Sequence, residues 1–152
     1  MRTLALVLAV PLYATTLLAQ DRPTLDDIRS LRCTFESRVV TPSWEPGSEP
    51  ELDVGKDSEP LQFFIDAIDR ENQKARMIGN AGSADVIVIP SFGVLDIIER
   101  PPRGGLHLLT IIEGQLSDRG LSSSFPAAYS RHGILFGRFI VSQYYGSCQP
   151  WE

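Results

Sequence analysis

From Leu31 onward the apolar residues recur at every second position, the period of a strand with one face buried. In LRCTFES, Cys33 and Phe35 point one way and Arg32, Thr34 and Glu36 the other. LQFFIDAI sets Leu61, Phe63, Ile65 and Ala67 on one side, DRENQ reads as a turn, and KARMIG then alternates Lys74 and Arg76 with Ala75 and Met77, so a hairpin is the simplest reading. GNAGS at 79–83 supplies residues that tolerate positive φ, and further breaks fall at Pro90 to Gly93 and at RPPRGG. Between and after them stand ADVIVIP, VLDIIE and LHLLTIIE, followed by the polar connection EGQLSDRGLSSSFP and the run AAYSRHGILFGRF. Short strands at even spacing with turn signals between them describe a mainly β fold. The pattern predicts an antiparallel meander closed into a small barrel of about seven or eight strands, with a β-sandwich as the alternative.

Ahead of the strands, PTLDDIRSLR predicts one short N-terminal helix. Thr24 can cap it, Asp27 completes a capping box, and Leu25, Ile28 and Leu31 share a face. The opening residues have a different character. MRTLALVLAVPLYATTLLAQD carries one positive charge at Arg2, an apolar run from Leu4 to Leu18 and small residues before Gln20. That run is too short and interrupted for a hydrocarbon layer of roughly 30 Å, so it reads as a secretory signal peptide over residues 1–19. Cleavage is expected after Ala19, with Thr16 as the alternative, leaving a single β domain over 20–152 with no further membrane span. No cysteine stands at the junction to carry a lipid, and the expected location is periplasmic or secreted.

Export changes how the two cysteines, Cys33 and Cys148, are read. An oxidising compartment favours a disulfide, whereas a redox motif wants cysteines two residues apart and a zinc site wants four grouped ligands. A sheet that wraps round brings its first and last strands together, which places thiols at the two extremities within bonding reach.

The formal net charge of −5 is concentrated. Between Thr41 and Pro60 stand Glu45, Glu49, Glu51, Asp53, Asp57 and Glu59 against Lys56 alone, among four prolines and two glycines. This stretch reads as a long, acidic, solvated loop at about 41–60. The near-neutral remainder argues against nucleic acid as a partner. Asp53, Asp57 and Glu59 offer oxygen ligands, but the alternating calcium-loop pattern is absent, so no metal and no cofactor is expected.

No nucleophile elbow, zinc-protease helix or phosphate loop occurs. His107 shares a face with Leu109 and Ile111, and His132 with Ile134 and Phe136; packing or surface roles outweigh catalysis for both. Ser130 and His132 lie on one face and Arg131 on the other, with no carboxylate or oxyanion hole identifiable for a triad. In the ending QYYG, Tyr144 and Tyr145 leave opposite sides of an extended chain, and Tyr144, Tyr145, Arg131 and His132 are the candidate ligand or partner contacts.

The stretches RCTF, ARMIGNAGSADV and SRH and the ending SQYYGSC resemble small exported bacterial proteins of about this size to which no activity is assigned. The resemblance spans most of the chain after the leader, the acidic stretch excepted, and brings no substrate, cofactor or catalytic residue with it. The functional expectation is a binding or protein-interaction module. A carrier of a small apolar ligand and a hydrolase using His132 or His107 are the alternatives. Large inward residues favour a filled interior and hence contact with an unidentified protein.

Overall fold

The computed structural model describes residues 24–44, 49, 51–102, 104–114, 124–135 and 138–151. The expected leader and most of the connection before Phe125 lie outside them. Eight antiparallel strands follow one another round a closed barrel: β1 (Leu31–Trp44), β2 (Asp53–Asp69), β3 (Lys74–Gly79), β4 (Gly82–Ser91), β5 (Val94–Glu99), β6 (Leu106–Ile112), β7 (Phe125–Leu135) and β8 (Arg138–Pro150). Every strand pairs with its neighbours in sequence, and β8 returns to pair with β1, so no sheet edge is left open. The run AAYSRHGILFGRF is divided between β7 and β8, and the ending SQYYGSC is strand rather than tail.

The alternation read from sequence becomes the inside and outside of the barrel. Cys33, Phe35, Phe63, Ile65, Met77 and Ile97 are among the buried inward residues, with Arg32, Glu36 and Arg76 exposed outside. At the closing seam Cys33 lies directly opposite Cys148, their Cα atoms 4.0 Å apart, and the two are disulfide-bonded. Two positions along, Gly146 faces Phe35, where β1 shifts register between Phe35 and Ser37. A Cβ on Gly146 would sit 2.0 Å from the carbonyl oxygen of Thr34 and 2.7 Å from the Cα of Phe35, so the seam closes this tightly only because the residue has no side chain.

The predicted helix is shorter than its pattern. Asp27 accepts from the backbone and hydroxyl of Thr24, at 3.3 and 2.7 Å, but only Leu25–Asp27 forms a 3₁₀ turn. Leu25, Ile28 and Leu31 nevertheless all turn inward, as their shared face requires, and Leu25 and Ile28 stop one end of the barrel. The stopper is held by Arg70, whose guanidinium donates to the carbonyl oxygens of Leu25 and of Ile28, the latter at 2.8 Å. Ile68 completes the seal where sequence alternation placed Ala67. A register shift between Asp66 and Asp69, with Ala67 at φ 52°, swings Ala67 out and buries Ile68.

The stretch expected as a loop over about 41–60 is largely strand. β1 runs on to Trp44 and β2 begins at Asp53, pairing Val40 with Asp53, Val39 with Val54 and Arg38 with Gly55. Two physical features reconcile its composition with a sheet. Pro42 and Pro60 fall within register shifts, where a missing N–H breaks no ladder bond, and Asp53 and Asp57 both form ion pairs with Arg38 on the neighbouring strand.

Two outcomes follow for stability. Replacing both Cys33 and Cys148 by alanine lowers the unfolding free energy by about 2–4 kcal/mol, read from urea melts against the oxidised protein. Gly146→Ala in the otherwise intact, oxidised protein costs about 2 kcal/mol or more, because both obstructing atoms belong to backbone next to the disulfide. A loss below about 0.5 kcal/mol would show that the seam has slack.

Candidate functional site: the open mouth of the barrel

The end opposite the stopper carries the β3–β4 hairpin, the β5–β6 connection and the start of β8, and there the interior is not filled. Two hollows adjoin one another. One, of about 350 Å³, lies between Leu61 and Phe63 of β2, Met77, the Asn80–Ala81 turn and Pro102. The other, of about 340 Å³, lies between Arg38 and Val40 of β1 and Ser142 and Tyr144 of β8. His107 and Arg131 line both. The floor is aromatic: the rings of Phe35 and Phe63 stand 5.4 Å apart, and that of Tyr129 lies 4.9 Å from Phe63 and 5.9 Å from Phe35.

Strand register assembles the polar side. Glu99 of β5 pairs with His107 of β6, and His107 pairs with Arg131 of β7, so three residues from three strands stand in one row. Inward alternation then puts Tyr129 one step deeper than Arg131. Glu99 Oε2 lies 2.6 Å from Nδ1 of His107 and accepts its proton, which fixes the ring and leaves Nε2 as the nitrogen not engaged by Glu99. The Tyr129 hydroxyl is 3.1 Å from the same Nδ1, and the two rings meet edge to face at 5.8 Å. Burial, reinforced by the Glu99 charge and opposed by Arg131, pushes the Tyr129 phenol well above its usual range.

The bulge at Phe35/Ser37 changes which residues of β1 face inward, bringing Arg38 and Val40 to the mouth. Arg38 is already spent: its guanidinium meets Asp57 at 2.7 Å and Asp53 at 3.1 Å. Arg131 is exposed and has no carboxylate within ion-pair distance among the described residues.

Of the four contact candidates read from sequence, Arg131 and Tyr144 line the mouth, whereas His132 and Tyr145 are exposed and turn to the outer face, His132 reaching only the lip. His132 sits outside between Leu106 and Val141 on the neighbouring strands, and Ser130 shares its face. Tyr144 pairs with Tyr129 across β7 and β8, their centroids 6.2 Å apart. Sequence reasoning passed over Glu99, Tyr129 and Arg38. A hairpin signal for the first was present: Glu99 and His107 are equidistant from the centre of RPPRGGL, so a symmetric turn pairs them. Nothing comparable flags Arg38, whose inward turn depends on the bulge.

Neither a protein-family model, nor a curated protein, nor a solved structure matches this chain. The reading of the mouth therefore rests on its geometry.

The shifted phenol sets a pH dependence. The folded protein keeps the Tyr129 proton that the unfolded chain releases at about pH 10, so this stabilisation is complete below that pH and declines above it. Urea midpoints measured upward from about pH 9 should fall more steeply for the native sequence than for Tyr129→Phe; parallel curves would count against the burial of the hydroxyl.

Proposed function

We propose that this protein is an exported binding protein whose open mouth takes up a small, partly apolar molecule, and that Arg131 and Tyr144 touch it. The observation that carries the reading is the unfilled hollow of about 350 Å³ set on an aromatic floor with polar side chains converging from one side. That combination of apolar surface and a few fixed polar groups is the usual build of a small-molecule site, at the low end of its size range. Export is supported by the disulfide between Cys33 and Cys148, which persists in an oxidising compartment, and by the resemblance of RCTF and SQYYGSC to exported bacterial proteins.

The filled interior anticipated from Phe, Ile and Leu applies to the stoppered half alone. Contact with a protein therefore becomes the second reading, favoured by the outward residues Leu106, Ile134 and Val141, which are 40%, 65% and 41% exposed on adjacent strands. Hydrolysis draws less support. Among the described residues His107 is engaged by Glu99 and Tyr129 rather than by a serine or cysteine nucleophile, and His132 faces outward.

Titration with the neutral fluorescent probe N-phenyl-1-naphthylamine tests the proposal. Ala84 lines the larger hollow and is half-buried, so Ala84→Phe puts a ring into open space. Saturable binding by the native sequence, weakened about tenfold or more in Ala84→Phe with the thermal midpoint retained, is the expected outcome, about 1.4 kcal/mol of binding energy. Absence of saturable binding, or equal binding by both proteins, would remove the mouth as a ligand site.

A further inference from the structure

The mouth has a polarity that the volume alone does not convey. Among the described residues its ionisable groups include Arg38, Asp53, Asp57, Glu99, His107 and Arg131, and of these six Arg131 alone has no ion-pair partner. Arg38 holds Asp53 and Asp57 within 3.1 Å, and Glu99 holds His107 at 2.6 Å. Arg131 stands beside His107 in the same row and lines both hollows. A matched carboxylate has already spent its strongest acceptor positions, whereas an unpaired guanidinium presents a planar fork of donors suited to a carboxylate or phosphate.

We infer that the ligand of the mouth is an amphipathic anion, its apolar body on Phe63, Leu61 and Met77 and its acidic head on the Arg131 guanidinium. The placement follows from the two sides of one hollow: Leu61, Phe63 and Met77 of β2 and β3 form the apolar wall, and His107 and Arg131 stand on β6 and β7 across from them. Glu99 has a positioning role. By accepting the Nδ1–H hydrogen bond it keeps the imidazole fixed, with Nε2 left as an acceptor that meets the head group through a bridging water. Asp53 and Asp57 are drawn to Arg38 and Glu99 to His107, so that no carboxylate among the described residues lies within ion-pair distance of Arg131. This inference rests on the proposed uptake of a small molecule at the mouth and adds the sign of its charge.

Displacement of N-phenyl-1-naphthylamine by decanoate, decanol and decyltrimethylammonium separates the two claims. Decanoate is expected to compete at least tenfold more strongly than decanol, with the ammonium weakest. In Arg131→Gln the decanoate-to-decanol ratio should fall to within about twofold, and Arg131→Lys, which keeps the charge but not the fork, should hold an intermediate ratio. A preference for decanol or the ammonium in the native sequence overturns the anionic head while leaving the mouth as an apolar site. An unchanged ratio in Arg131→Gln, with the fold verified by circular dichroism, overturns the assignment to Arg131. Failure of the probe and of all three competitors to bind overturns the uptake reading and this inference together.

Discussion

Closure of β8 onto β1 is the constraint on which the rest of the structure depends. Each of the other pairings joins strands adjacent in sequence through a connection of at most 12 residues, whereas the seam brings together residues 115 positions apart and must overcome the corresponding chain entropy. The chain meets that cost in two ways. A covalent bond sits in register within the seam, and a glycine at the next inward position lets the backbones approach. Without closure there is no interior, and the inward rows that form the floor and the polar side of the mouth would face water.

The barrel is asymmetric along its axis, and the asymmetry comes from identifiable residues. At one end Leu25, Ile28 and Ile68 fill the lumen, under a segment that Arg70 holds by its carbonyls. At the other the lining takes in polar side chains, with Glu99 and His107 paired to one another and Arg131 exposed, and hollows remain between them. An eight-stranded barrel is just wide enough to be filled by its own side chains, so a modest change in residue type along the strands decides whether it is a solid core or a cup. This chain is both, in successive layers.

How much of this is legible in the sequence differs between pattern and register. Period-two alternation marks the inward residues of KARMIG, of LHLLTIIE and of the first half of LQFFIDAI, because each occupies a regular stretch of ladder. It fails where the ladder slips. Ala67 and Ile68 exchange roles at a bulge, and the acidic run beginning at Thr41 looks solvated because cross-strand pairing of Asp53 and Asp57 with Arg38 cannot be read from neighbours in sequence. The candidate site has the same limitation. Glu99, His107, Tyr129 and Arg131 are unremarkable one at a time, and only the pairing of β5, β6 and β7 makes them a group. Arg131 and Tyr144 were accessible to local reasoning because strand geometry separates each from its immediate neighbour, His132 and Tyr145.

The placement of the sulfur bridge has a dynamic corollary. Cys33 is the third residue of β1 and Cys148 the third from the end of β8, so the bond clamps the stoppered half, and above Gly146 no covalent link joins the two strands. Local opening should thus be graded along the seam, with amide protons near Leu31 exchanging only on global unfolding and those near Val40 exchanging through smaller fluctuations. The seam would yield from the mouth downward, widening the entrance without exposing the core.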